Sequence, residues 1–272
     1  MAVDRKIIED RLLQAVEANR SALTKVAHYT RLETLLHLLG PGGITSLRAT
    51  GIRYLNDRNE LTHGLRILNQ DPGSEKFKAA FAQIESASPD VYQVSFSGAP
   101  DELGQWRGYA NNGIGCSVEV DRSALDQAGT FSGWVIYDET AQKTFAASVV
   151  QALRSIRPGA EEAGIYLLAA ASFMKHPGFA PEMEFRVLLV PSDSNTYQMR
   201  VSGDRLAPYF DLLQPGTLIA VSRVLLGPGW QLGTLSKEQF IRHHVPLGVQ
   251  RLLTLHGIAA QIEPSSIPYD PR

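Results

Sequence analysis

Cysteine is nearly missing from this chain: its 272 residues hold one, Cys116. A lone thiol forms no internal disulfide and fits a reducing, cytoplasmic setting. Its neighbours, Gly-Ile-Gly-Cys-Ser-Val-Glu-Val, read as a buried strand, which makes Cys116 a small inert core residue. Long apolar runs are missing as well. The longest, around 165–174, is short and alanine-rich, well under the ~20 residues that a membrane span needs. The N-terminus, Met-Ala-Val-Asp-Arg-Lys-Ile-Ile-Glu-Asp, carries acids rather than the pattern of a secretory signal. There is no basic excess. Lys and Arg number 26 against 28 Asp and Glu, with net charge -2 and pI ≈ 6.4, which argues against a dedicated nucleic-acid binder and leaves room only for a local basic groove. No phosphate-loop, dinucleotide-binding or nucleophile-elbow motif occurs, nor H-E-x-x-H or C-x-x-C. His243 and His244 are adjacent, and on a helix their side chains would diverge by about 100°, a poor metal pair.

What is present suits a globular fold with a sizeable core: 44% of residues are hydrophobic and 20% charged. Apolar periodicity predicts a helix over 4–22, a strand at 26–29 and a helix from Thr30 to Leu38. It goes on to a strand at 44–49, helices from Asp57 and Ser74, and an alternating strand at 91–97. A short helix at 102–109, the turn Asn111-Asn112-Gly113 and a strand at 114–120 follow. Next come a strand at 134–137, helices over 139–156 and 160–175 broken at Arg157-Pro158-Gly159, and a branched strand at 184–190. Strands at 199–201, 209–212 and 218–226, a helix from Ser236 to His256 and a strand at 259–263 complete the pattern. Strands come in pairs between helices. That predicts an α+β fold with a mixed, largely antiparallel central sheet flanked by helices. Residues 1–24 read as an N-terminal helical cap and 25–272 as one α+β domain.

Four segments are dense in groups that carry chemistry. His28-Tyr29-Thr30 ends a strand directly before a helix, where an imidazole can reach a cleft or sit satisfied in the core. Arg53 to Glu60 surrounds an Asn-Asp turn in which Tyr54 and Asn56 can face a ligand, or merely cap a helix. Ser95 and Ser97 end a strand, and Asp101, Gln105, Trp106 and Tyr109 follow, the two aromatics three apart and so on one helix face. In Glu182-Met183-Glu184-Phe185-Arg186, a strand starting at Glu182 sends both carboxylates and the guanidinium to one face. Such a face is a solvated ion-pair surface, or a carboxylate held by Arg186 to stabilise developing positive charge.

In order, VAHYTRLETLLHLL, YLNDRNEL, VSFSGAPDELGQWRGYANNGIG, PEMEFRVLL, VSRVLLGPG and IEPSSIPYD resemble a bacterial family described as domain of unknown function 2971. More distantly, a strand ending in His-x-Thr before a helix resembles the opening of ADP-ribosyltransferases of the His-Tyr-Glu type. That resemblance implies an ADP-ribosyltransferase-like fold with NAD as substrate. It implies His28 on a ribose hydroxyl, with Tyr29, Thr30, Asn56, Ser95 and Ser97 around the ligand. Tyr54, Trp106 or Tyr109 would stack on nicotinamide. Glu184, or Glu182 in second place, would support the oxocarbenium-like transition state beside Arg186. Arg53, Arg107 or Arg186 would hold the pyrophosphate.

The expectation is a cytoplasmic, non-membrane enzyme that cleaves the nicotinamide–ribose bond. It transfers ADP-ribose to a protein, a nucleic acid or water, in a toxin or phage-defence setting that rests on resemblance alone. Two alternatives stay open. One is a nucleotide- or partner-binding module without turnover. The other is a metal-dependent nuclease built on Asp57, Glu60, Glu182 and Glu184.

Overall fold

The computed structural model describes residues 22–55, 58–87, 91–126, 128–191, 196–202 and 205–269. The expected helix over 4–22 falls outside these residues apart from Ala22, and the N-terminal cap over 1–24 apart from residues 22–24. The strands are β1 Lys25–Thr30, β2 Leu39–Gly40, β3 Gly43–Ile44, β4 Arg48–Gly51, β5 Tyr92–Ser97, β6 Cys116–Asp121, β7 Phe131–Trp134, β8 Glu184–Leu189, β9 Gln198–Ser202, β10 Arg205–Asp211, β11 Val221–Leu226 and β12 Gln261–Pro264. The α-helices are α1 Leu35–Leu38, α2 Arg58–Gln70, α3 Lys78–Ala87, α4 Leu103–Tyr109, α5 Glu139–Ile156, α6 Ala160–Ala171, α7 Lys237–Arg242 and α8 His244–Leu255.

One ten-stranded sheet runs in the order β12-β11-β6-β1-β5-β4-β10-β9, with β8 pairing both β5 and β7. Among the described strands, only β11 and β12 pair in parallel. This is the α+β, largely antiparallel architecture that the strand pattern predicts. Strand β8 lies between two apolar layers, and its side chains alternate between them. Phe185 and Val187 join a core with Val26, Phe96, Val118 and Val224, closed by Val249 and Leu253 of α8. Leu188 faces the other way, into a core with Leu68, Phe145, Leu153, Tyr166 and Leu167 from α2, α5 and α6. Helix α5 forms where it does because Asp138 caps it, accepting from the Ala141 amide at 2.8 Å. Its buried stripe Phe145, Val149, Val150, Leu153 repeats at helical spacing, and it stops at Arg157, whose φ of 56° is left-handed.

Several boundaries differ from the sequence expectation. The strand expected at 44–49 is split into β3 and β4, because the Asp211 carboxylate takes the Leu47 amide at 2.8 Å and the Ser46 hydroxyl at 2.5 Å, bending the chain between them. The helix expected from Ser236 to His256 is two, α7 and α8, because His243 is extended at ψ 140° and caps the second. The His243 and His244 rings then lie 4.3 Å apart rather than diverging along one helix. Cys116 is fully buried, as expected, and burial pushes its thiol up to about 12.

Strand β5 positions the site. One edge is bonded to β8 along its whole length, Tyr92 to Leu189 through Ser97 to Glu184. The other edge is shared. Ser97 pairs with Ala27 of β1, while Gln93 and Tyr92 pair with Thr50 and Gly51 of β4. Strands β1 and β4 therefore part at residues 94–96, and the sheet forks there.

Candidate functional site

At the fork lies a cavity of about 380 Å³, in the size range of small-molecule sites. Cross-strand register gives it a polar wall. Ser97 sits opposite Glu184 and Ser95 opposite Arg186, so all four share one face with Gln93, Thr50 and Arg48. The alternating polar positions of 91–97 thus line the cavity.

Glu184 is the most constrained group on that wall. Arg186 grips it with two parallel hydrogen bonds, Nε to Oε1 at 2.7 Å and Nη2 to Oε2 at 2.6 Å. The Lys175 ammonium stands 3.5 Å from Glu184 Oε2 and 2.5 Å from Glu182 Oε2. The Glu184 main-chain amide donates to the Tyr137 hydroxyl at 3.0 Å. Burial by itself pushes the Glu184 carboxyl up. The Arg186 charge and hydrogen bonds, the Lys175 charge and a hydrogen bond from Ser95 outweigh it and hold the group down at about 2. Arg186 also donates from Nη1 to the Ser172 carbonyl, so each of its three guanidinium nitrogens is engaged.

His28 enters from the opposite side. Its neighbour Ala27 pairs with Ser97, so alternation sends the imidazole to the face of Phe96, whose ring centroid is 5.4 Å away. Both faces meet in the fork, where His28 Nδ1 lies 2.9 Å from the Ser95 carbonyl. Burial is the main cause that lowers the His28 pKa, with the Arg200 charge acting the same way against the Ser95 bond. The neutral ring then donates from Nδ1 and leaves Nε2 as a lone-pair acceptor.

The cavity brings together His28, Tyr29, Thr30, Tyr54, Ser95, Ser97, Tyr109, Glu182, Glu184 and Arg186, segments far apart in the chain. Their situations differ. The Tyr29 hydroxyl is spent, donating to the Ala99 carbonyl at 2.6 Å and accepting from the Glu102 amide at 2.9 Å. Ser97 is likewise tied to the Glu182 carbonyl at 2.6 Å. Tyr54 and Tyr109 keep 40% and 46% of their surface exposed, enough to offer a ring face. Asn56 and Asp57 lie outside the described residues, as does the side chain of Glu60. The strand begins at Glu184, not Glu182. Met183 takes a left-handed turn at φ 45°, and Glu182 reaches the cluster from the preceding 3-10 turn.

Trp106 is not on the cavity wall, contrary to the expectation from its spacing to Tyr109. Its indole is fully buried against Tyr29, with ring centroids 4.8 Å apart, and Nε1 donates to Asp101 at 2.8 Å. Asp101 also takes Ser265 and Ser266, so this cluster clasps the C-terminal segment. None of the expected pyrophosphate donors is free in the cavity. Arg53 donates to the Ile84 carbonyl outside it, Arg107 is exposed outside it, and Arg186 serves Glu184. Sequence reasoning missed Lys175, an isolated cation closing the alanine-rich run after α6, and it missed the cavity's Arg48 and Arg200. Among the described residues, no three His, Cys, Asp or Glu side chains are grouped to hold a metal ion.

No curated protein and no solved structure matches the chain. Residues 105–187, from Gln105 in α4 to Val187 in β8, match a family model described as protein of unknown function (DUF2971), a likeness that takes in Tyr109, Glu182, Glu184 and Arg186 and leaves out His28 and Ser95.

Proposed function

We propose that the chain is an NAD-consuming enzyme of the ADP-ribosyltransferase type. It would cleave the nicotinamide–ribose bond and pass ADP-ribose to a macromolecule, protein or nucleic acid, or to water. One observation carries the reading: a neutral imidazole, His28, and an ionised carboxylate, Glu184, line one cavity and are bridged by Ser95. His28 Nε2 is an acceptor suited to a ribose hydroxyl. Tyr54 or Tyr109 supplies a ring for nicotinamide. As the bond to C1′ breaks, its electron pair goes to the nicotinamide nitrogen and positive charge builds on the sugar. The Glu184 carboxylate, fixed in advance by Arg186, complements that charge without reorganising. The acceptor's lone pair then closes on C1′, and its proton passes to Glu182 or to solvent.

Incubation with NAD, alone and with nucleic-acid or protein acceptors, tests this directly. Free nicotinamide from the wild-type protein, lost in Glu184→Gln, is the expected result. No release under any of these conditions defeats the reading.

The commitment of Glu184 to Arg186, Lys175 and Ser95 favours a second reading, a nucleotide-binding module without turnover. NAD binding by calorimetry without nicotinamide release would select it. The nuclease reading is weaker, since Glu182 and Glu184 face two cations that oppose a divalent metal at the same oxygens.

A further inference from the structure

We infer that Arg48 and Arg200 form a subsite for the diphosphate group of a nucleotide, in the same cavity as His28 and Glu184. The charge balance of the cavity points to it independently of NAD chemistry. On the wall formed by β8 and the turn before it, Glu182 and Glu184 are matched by Lys175 and Arg186, two charges against two. His28 is held neutral by burial. The remaining charged groups lining the cavity are Arg48 on β4 and Arg200 on β9, and neither has a carboxylate partner among the described residues. Among the described residues, the cavity therefore carries an uncompensated positive end.

The local geometry explains why that charge persists. Asp211 is the register partner of Arg48, yet its carboxylate takes the Ser46 hydroxyl and the amides of Leu47 and Leu213. Arg48 lies over the Tyr209 ring at 5.1 Å, a cation–π contact that holds the guanidinium without neutralising it. Arg200 donates Nη2 to Thr50 Oγ1 at 2.6 Å, while its Nε is buried with no acceptor among the described residues. Two guanidinium groups near one another repel, and such a pair is retained where an anion bridges it. Their planar forks match phosphate oxygens in a way that a single ammonium does not. A cavity of about 380 Å³ suits a nucleotide rather than a duplex.

Calorimetric titration with ADP, inorganic pyrophosphate and adenosine tests the subsite, and it requires no turnover. The expected result is ADP binding that weakens as salt rises, pyrophosphate binding at the same site, and adenosine at least about tenfold weaker than ADP. Arg48→Gln and Arg200→Gln should each weaken ADP about tenfold or more, whereas Arg107→Gln, an exposed cation outside the cavity, should not. Thermal unfolding checks that the variants fold, and the salt dependence of the wild type still decides if one does not. ADP no tighter than adenosine, or a single-stranded oligonucleotide that binds where ADP does not, overturns the subsite. ADP binding with no nicotinamide release upholds it while ending the NAD reading. Nicotinamide release with an unchanged KM in Arg200→Gln does the reverse.

Discussion

Arg186 holds both oxygens of Glu184, at 2.7 and 2.6 Å, two residues along the same strand and on the same face of the sheet. Both side chains are almost fully buried, at 3% and 7% exposure. A buried pair of this kind contributes little net stability when compared with well-packed apolar residues, but breaking it is expensive, because one charge is left without its partner.

Arg186→Met should therefore lower stability by ~3–5 kcal/mol, read as a fall in the urea midpoint with an unchanged slope. The double variant Arg186→Met, Glu184→Leu should be less destabilised than the sum of its two single changes. Additive losses would mean that the two groups do not act as a pair.

Stability should decline with acid in two stages. Both His28 and Glu184 have folded pKa values below their ordinary ones of 6.5 and 4.5. A depressed folded value gives stability that is present above the unfolded pKa and lost as pH falls. Below about 6.5 the unfolded imidazole takes up a proton that the buried one refuses, and below about 4.5 the unfolded carboxylate does the same, down to about 2. Urea midpoints measured from about pH 7.5 to about pH 5 should fall more steeply in wild type than in His28→Asn. Equal slopes would show that His28 is not held neutral.

Much of the polar wall was legible because strands alternate. The hydroxyls of Ser95 and Ser97, and the charges of Glu184 and Arg186, stand two apart, so each pair shares a face by alternation, and the register of Ser95 opposite Arg186 puts both pairs on one face. Arg48, Arg200 and Lys175 carry no such local signal. Arg48 and Arg200 reach one cavity only because β4 pairs with β10 and β10 with β9, and Lys175 reaches Glu184 only because the chain after α6 runs beside β8, where the Ser172 carbonyl accepts from Arg186. The place of Trp106 is hidden for a related reason. Spacing of three says that two aromatics can share a helix face, but in a seven-residue helix it does not say which side the sheet will cover.

That burial gives the aromatics separable roles. Trp106→Phe removes the bond to Asp101 and should destabilise the fold by ~1–3 kcal/mol while leaving the affinity for NAD unchanged. Tyr54→Ala and Tyr109→Ala should spare stability, and the one that stacks on the ligand should lose ~3–10-fold in affinity. A large affinity loss in Trp106→Phe with unchanged thermal unfolding would contradict the placement of its indole.

The kinetic roles of the two bridged residues should also separate. His28→Ala removes an acceptor that a bound ribose hydroxyl would use in ground and transition states alike, so KM should rise ~3–10-fold with kcat little changed. Glu184→Gln keeps the shape of the wall but removes the charge that complements the sugar cation, so kcat should fall ~10²–10³-fold. This variant also removes the negative charge that Arg186 grips and that Lys175 shares with Glu182, and some loss of stability will accompany it. Measuring kcat well below the unfolding temperature keeps the two effects apart. If Glu184→Gln loses activity only in proportion to the fraction unfolded, the carboxylate supports the fold and does not take part in bond cleavage.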